Sequence, residues 1–525
     1  MSKVLISDKL SSRAAEIFHE HGIEVDVRIG MSPDELKTVI GDYDGLAIRS
    51  ATRVTSEILD AAGNLKVIGR AGIGIDNVDV DAATSKGVLV MNTPFGNSIT
   101  TAEHAIALML ALARQLPAAN ESTQAGLWEK SRFMGVELTS KVLGIVGCGN
   151  IGSIVADRAR GLKMQVMAFD PFLSPQRASE MGIEKVEMDD LLRRADFITL
   201  HSPLTDSTRH MIDAVAIEKM RRGVRIINCA RGGLIDEAAL HAALEDGRVS
   251  GAALDVFETE PAKENILFGS DRVIATPHLG ASTEEAQENV AVQVAEQIAD
   301  YLLNGTVTNP INMPAVSEEE ALGLRPYIEL ARQLGNFAGQ ITESPLVDVK
   351  IRYEGQVSQL NITPLTAALL AGLLSPLNGG VNPVNAPYIA RKHDIEVAAE
   401  TDEKVSGYQT RIHLAITTEK RRRTLAGTLV HGDKPRIVEI EGIQIEAELS
   451  DIVLFVRNKD RPGMIGSLGK ALSDAEINIA TFHLGRSKPG GDAMALLSVD
   501  GEVTEAVLTQ LCTLPNVTQA KILRF

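Results

Sequence analysis

Gly147-Cys148-Gly149-Asn150-Ile151-Gly152 spaces three glycines as G-x-G-x-x-G directly after the apolar run Val142–Val146. In that place the glycines permit a tight turn and close backbone approach, and the N-terminus of the following helix faces a pyrophosphate. Asp170 ends the next apolar run, 23 residues beyond Gly147. There a carboxylate accepts from the hydroxyls of an adenosine ribose and repels a 2′-phosphate, so NAD is expected rather than NADP. Three further polar residues sit just past later apolar runs: Arg231 before Gly232-Gly233, Glu260 before Pro261, and His278 after Pro277. Together they supply a base near neutral pH, a carboxylate to orient and charge-stabilise it, and a cation that clamps a carboxylate. That set suits hydride transfer between NAD and C2 of a small anionic 2-hydroxy acid.

The elements that must carry these residues read as two α/β series. Runs at Lys3–Ser7, Val25–Ile29, Gly45–Ile48, Lys66–Gly69 and Val88–Met91 alternate with helical stretches, the pattern of parallel strands with crossover helices. A mostly apolar helix follows from Thr101 to Leu116, broken by Pro117 and leading into a polar stretch that holds Trp128. Being apolar nearly all round, it is expected to be buried, in part against a second subunit. The second series, Val142–Val146, Gln165–Phe169, Phe197–Leu200, Arg225–Asn228, Gly251–Leu254 and Val273–Ala275, makes a doubly wound sheet. A helix over Thr283–Leu303 ends at Asn304-Gly305 and is expected to pack back on the first series, leaving a ligand cleft between the two.

The expected fold class is therefore α/β, a Rossmann-type doubly wound parallel sheet (101–282) inserted in a flavodoxin-like substrate domain (1–100 and 283–312). An α+β intervening domain (317–450) follows, with an apolar helical segment at Pro364–Leu374 and an Asn/Pro/Gly-rich turn at Asn378–Pro387. Arg421-Arg422-Arg423 is read there as a solvated hairpin tip. The last stretch, 451–525, reads strand, helix, strand, strand, helix, strand, a ferredoxin-like βαββαβ unit of the kind used for small-molecule regulation.

With 525 residues the chain exceeds a single core, and its 44 glycines suit α/β turns. A formal charge of −17 argues against nucleic-acid binding. No apolar run reaches membrane-spanning length, so a cytoplasmic protein without membrane attachment is expected. Three cysteines, Cys148, Cys229 and Cys512, form no disulfide framework and no metal site.

On Gly147–Gly152, Asp170, Arg231, Glu260 and His278 the chain closely resembles the D-isomer-specific 2-hydroxyacid dehydrogenases, in their long form with two extra domains. The resemblance implies a histidine–glutamate proton relay and cofactor contacts at Gly147, Gly149, Asn150, Ile151, Gly152, Asp170, Ser202, Cys229, Ala230, Asp255, Gly280 and Ala281. Ala47-Ile48-Arg49-Ser50-Ala51-Thr52 and Gly69-Arg70-Ala71-Gly72-Ile73-Gly74 resemble the family's phosphoglycerate-oxidising branch. This implies 3-phosphoglycerate as substrate, held by Arg49, Ser50, Arg70 and Gly74, with Arg132 reaching a neighbouring subunit's site in a homodimer or homotetramer. The tail is similar to an ACT domain through Arg457-Asn458-Lys459-Asp460-Arg461-Pro462-Gly463 and Ile477-Asn478-Ile479. It implies an L-serine effector site at Asn458, Asp460 and Asn478. A dehydrogenase of an unphosphorylated acid such as glyoxylate or lactate, or an NAD-sensing corepressor on the same fold, would share much of this pattern. The arginines of the first series and the patterned tail count against both.

Overall fold

The computed structural model describes residues 2–316, 318–404 and 407–525, with the side chains of residues 318 and 319 outside that description. The boundary expected at residue 317 thus falls outside the described residues. Four sheets follow one another along the chain.

The first is five-stranded and parallel, in spatial order 24–27, 3–6, 45–48, 67–70, 89–92, the 2-1-3-4-5 order of doubly wound sheets. Both faces are covered over the four strands from 3–6 to 89–92, which are near-continuous apolar runs, whereas the edge strand Glu24–Val27 alternates charged and apolar residues. Leu5, Leu46, Ile68 and Val90 pack on one side with Tyr43, Ile58 and Leu59. Val4, Ala47, Val67 and Leu89 pack on the other against Val290, Val294 and Ile298 of the helix Glu284–Asn304. A Cβ on Gly69 would lie 2.5 Å from Val294 and 2.6 Å from Ile298, so only glycine lets that helix seat. Thr283 caps the helix through its hydroxyl, and Gly305 ends it at φ 71°.

The second sheet has seven parallel strands in order 273–275, 249–254, 224–228, 197–200, 142–146, 165–169, 184–185. The two-residue strand Glu184–Lys185 adds to the six runs read from sequence. The order reverses between 142–146 and 197–200, the switch point at which such sheets open a ligand crevice. The helix Ser98–Arg114 buries Ala102, Ala105, Leu108, Met109 and Leu112 against this sheet. It ends at Gln115, which takes φ 52°, and Pro117 does not stop the chain. Instead it sits in the first turn of a new helix, Leu116–Gln124, where a missing amide hydrogen loses nothing. Ile99 and Leu110 remain exposed, so the long helix is not wholly buried within one chain, and Leu116 at the start of the next helix is exposed as well.

The chain crosses twice between these sheets, and the crossings are tied together. The hydroxyls of Thr100 and Thr283 lie 3.2 Å apart, and Thr101 Oγ1 donates to the Gly280 carbonyl at 2.7 Å.

The third sheet is six-stranded and mixed: 396–402 runs parallel to 346–355, and the remaining pairs are antiparallel. The helices Glu318–Gln340 and Ile362–Leu374 contribute Leu334, Phe337, Leu369 and Leu373 to its core. The hairpin between 410–418 and 422–430 corrects one reading. Arg423 is not at a solvated tip but 2% exposed, its guanidinium on Glu441 at 2.7 Å. Glu441 also holds Arg457 of the last module. The hairpin's strands place residue 423 on the sheet beside the turn at 441, a pairing that local composition does not reveal.

The fourth sheet has order 478–486, 492–500, 452–459, 517–524, all antiparallel, with the helices Met464–Asp474 and Glu505–Thr513. Phe337 of the preceding domain packs edge-on against Phe455 at 5.7 Å and stacks on Phe525 at 6.3 Å. Among the described residues no helix is long and apolar enough to cross a membrane.

Candidate active site

At the switch point, strand 142–146 ends in Gly147, which takes φ +90° and has the His201 carbonyl 2.6 Å from where a Cβ would stand. A Cβ on Gly152 would meet the Gly147 carbonyl at 2.1 Å, while beside Gly149 the space is open. The helix Asn150–Gly161 begins there without any side-chain cap, leaving first-turn amides free to donate. Such an open cradle at an uncapped helix terminus fits a dinucleotide pyrophosphate. Asp170 stands at the end of the next strand, accepting from the amides of Cys148 and Phe172 at 2.7 Å each. These bonds aim the carboxylate and leave further lone pairs for ribose hydroxyls. Ser202 and Cys229 border the same rim, Ser202 donating to the Val146 carbonyl and Cys229 buried with Ala230.

Asp255 has a different setting from the one expected of a cofactor contact. It is 0% exposed, and its oxygens accept from Thr276 Oγ1 at 2.6 Å, the Leu279 amide at 2.7 Å and the Gly280 amide at 2.8 Å. These bonds tie the carboxylate to the loop that follows strand 273–275.

The loop that Asp255 holds carries His278 at φ 57°. His278 Nδ1 lies 2.7 Å from Glu260 Oε2, and Glu260 Oε1 accepts from the Phe257 amide at 3.1 Å. Burial alone would raise the Glu260 carboxyl. The hydrogen bond and charge of His278, with the Phe257 amide, outweigh burial and hold it below its ordinary value. With Nδ1 committed to Glu260, the other ring nitrogen is left for a substrate hydroxyl. His201, the other histidine at this rim, is pulled down to about 4 by burial and bonds Thr199, so it lacks the basicity for that task.

Arg231 reaches across from the second sheet to the first. Its Nε donates to Asp76 at 3.0 Å, and a Cβ on Gly74 would lie 1.9 Å from its Nη2. Glycine at 74 is what lets the guanidinium lie on that backbone. Gly232 serves the same turn, since a Cβ there would meet the Phe257 carbonyl at 1.8 Å. Arg70 lies on the first sheet beside Arg231 and Arg49. Burial, then these two cations, pull its pKa down to about 10. It stays charged at neutral pH, in a cluster of three guanidiniums that an anion would relieve. Arg49 is held by its own amide on Asp8 at 2.6 Å, and Asp8 also takes Thr52. Ser50 is exposed beside it.

Not every expected residue joins this site. Arg132 is occupied by Glu129 at 2.9 Å and by Asp271 at 2.8 Å. Asp271 precedes strand 273–275, at the end opposite the ligand rim, so Arg132 is absent from its own chain's cleft. The three effector residues do not assemble within one chain either. Asn458 is 2% exposed, its amide turned to the Lys459 carbonyl. Asp460 accepts from Arg486 at 2.9 Å and from the Gly490 amide at 3.0 Å, at the mouth of a groove of about 480 Å³ lined by Arg461–Gly466, Leu484 and Arg486. Asn478 pairs with Asp500, at the far end of the edge strand from Arg486. The spacing along the sequence conceals this, because residues 458 and 478 belong to different strands. Asp8, Asp76 and His104 are the polar residues that the sequence did not single out. Only Asp76, two residues past Gly74, carried a local signal.

Three family descriptions match the chain: the D-isomer specific 2-hydroxyacid dehydrogenase NAD binding domain over residues 106–280, the D-3-phosphoglycerate dehydrogenase intervening domain over 323–441, and the ACT domain over 452–516. A D-3-phosphoglycerate dehydrogenase of Bacillus subtilis is 41% identical over 526 residues, covering 100% of this chain and 99% of the relative. One of Methanocaldococcus jannaschii is 42% identical over 525 residues, covering 100% of both. Among solved structures, the TT0316 protein from Thermus thermophilus is similar with a TM-score of 0.55 at 32% identity, over 59% of this chain and 99% of that one. A D-lactate dehydrogenase from Aquifex aeolicus complexed with NAD and lactic acid is similar with a TM-score of 0.53 at 26% identity, over 60% of this chain and 100% of that one.

Proposed function

We propose that this chain, which belongs to the D-3-phosphoglycerate dehydrogenases within the D-isomer-specific 2-hydroxyacid dehydrogenases, oxidises 3-phosphoglycerate to 3-phosphohydroxypyruvate with Arg231, Glu260 and His278 as its catalytic set. NAD, when bound, supplies the hydride acceptor. His278 takes the proton of the C2 hydroxyl, and Glu260 holds the ring in place and stabilises its charge once protonated. Arg231 clamps the substrate carboxylate beside the Gly74 backbone, while Arg49 and Arg70 attract the phosphate. Gly147–Gly152 and Asp170 hold the pyrophosphate and ribose. The observation that carries this reading is the His278–Glu260 pair at 2.7 Å on the rim that also presents Arg231 to a cluster of cations.

The phosphate distinguishes this substrate from glycolate or lactate, which have nothing for two additional arginines to hold. The test is NAD reduction by purified protein with 3-phosphoglycerate, D-glycerate and D-lactate side by side. The phosphorylated acid should give the highest kcat/KM, and a preference for an unphosphorylated acid would reject the assignment. His278→Ala should lower kcat by about a hundredfold or more, the scale of a lost general base, with the KM for NAD little changed.

The ACT module supports feedback by L-serine, the amino acid to which the product leads. With Asp460 and Asn478 at opposite ends of one edge strand, a complete site needs a second copy. Antiparallel pairing of two 478–486 strands would bring one copy's Asn478 toward the other's Asp460 and Arg486. The exposed Leu110, Leu116, Leu127, Trp128 and Met134, close to Arg132, support a further contact between copies in a homodimer or homotetramer.

A further inference from the structure

His278 is a non-glycine residue in the left-handed region, a conformation that persists only when its surroundings hold it there. One buried carboxylate gathers the loop on both sides of it. Thr276 on one side of His278, and the amides of Leu279 and Gly280 on the other, all donate to Asp255. A fully buried carboxylate keeps such bonds only if its charge is well compensated.

The remaining donor comes from outside the loop. His104, on the helix Ser98–Arg114, places Nε2 3.3 Å from Asp255 Oδ1 and 3.4 Å from Thr276 Oγ1. Burial would raise the Asp255 carboxyl, and the hydrogen bonds of His104, Thr276 and the Leu279 amide more than offset it. The same helix grips the loop a second time, Thr101 donating to the Gly280 carbonyl at 2.7 Å. His104 contacts the carboxylate that fixes the base's loop, and through it lies two steps from the chemistry.

We propose that His104 is a positioning residue for His278, acting through Asp255: its Nε2–H donates to the buried carboxylate and so fixes the 276–280 loop from the helix at the domain crossing. The inference rests on the reading of His278 as the base. His104→Leu keeps the volume and removes the donor, so kcat should fall about ten- to a hundredfold, the scale of a small misplacement of a reacting group. The KM for NAD and for 3-phosphoglycerate should stay within about twofold of wild type. His104→Gln, whose amide reaches as far, should recover most of the loss, and His104→Asn, which is shorter, should not. The Leu variant should melt below the Gln variant, since it leaves the buried carboxylate a donor short, but the difference in kcat should persist at an assay temperature well below both transitions. In an Asp255→Asn background, His104→Leu should add no further loss.

A wild-type kcat in His104→Leu would overturn the inference, as would an undiminished effect in the Asp255→Asn background. If the Leu variant does not fold, the contrast between Gln and Asn decides: equal kcat for the two overturns the proposal. Failure of the base reading is separable, because His278→Ala would then retain its turnover whatever is done at His104.

Discussion

Glu260→Gln keeps the shape of the pair and removes its charge. With no carboxylate to hold the ring and balance the proton it takes up, kcat for oxidation should fall about ten- to a hundredfold while the KM for NAD stays within about twofold. A wild-type kcat, measured with NAD saturating, would take Glu260 out of the relay. The sign of its companion effect is also fixed. Because the Glu260 carboxyl lies below its ordinary value, the pair's contribution to stability is present above the ordinary glutamate range and is lost as pH falls through the lower folded value. Asp170→Ala removes an acceptor that orders two backbone amides and awaits the ribose. Affinity for NAD should weaken by about 1.5 to 3 kcal/mol, with NADP competing better, as steady-state kinetics with both cofactors would show. These residues were legible because each follows a buried strand, and an apolar run that stops at a polar residue marks a sheet's carboxyl rim. Asp8, Asp76 and His104 were not, since their partners lie 41, 155 and 151 residues away in sequence.

Strands were the easiest elements to read, because parallel strands buried on both faces are continuous apolar runs. Helix ends were harder. Pro117 reads equally as a stop and as a first-turn residue, and Gln115 in the left-handed region decides between them. Arg423 shows the opposite limit: three consecutive arginines look solvated, while a β ladder carries one of them inward to Glu441. The helix Glu318–Gln340 belongs to the intervening domain yet forms part of the regulatory module's core through Phe337. Phe337→Ala should therefore destabilise the protein by about 3 to 5 kcal/mol, the range for a buried ring, with both C-terminal domains affected in thermal unfolding. For the same reason, deleting residues 451–525 would bare an apolar face, and point substitutions are the cleaner probe of regulation.

At the scale of the molecule, an effector site split between copies makes a prediction that a site within one chain does not. Asp460→Ala and Asn478→Ala should each abolish the serine response, whereas co-expressing the two variants should restore part of it, since a mixed pair retains one site with both native residues. Inhibition curves of the three preparations check this, and no recovery in the mixed preparation would place the site within a single chain. The helix Glu284–Asn304, seated on Gly69, has a consequence for how the protein is made. The first sheet leaves the ribosome by residue 92, but the helix that covers Val4, Ala47, Val67 and Leu89 arrives roughly two hundred residues later. At synthesis rates of about 5 to 20 residues per second the nascent sheet waits on the order of ten to forty seconds with one apolar face bare. The NAD-binding unit, made in between, can close within that time. The first domain begun is thus completed only after the second has been made, and a chain stalled near residue 280 should be a strong client for holdase chaperones.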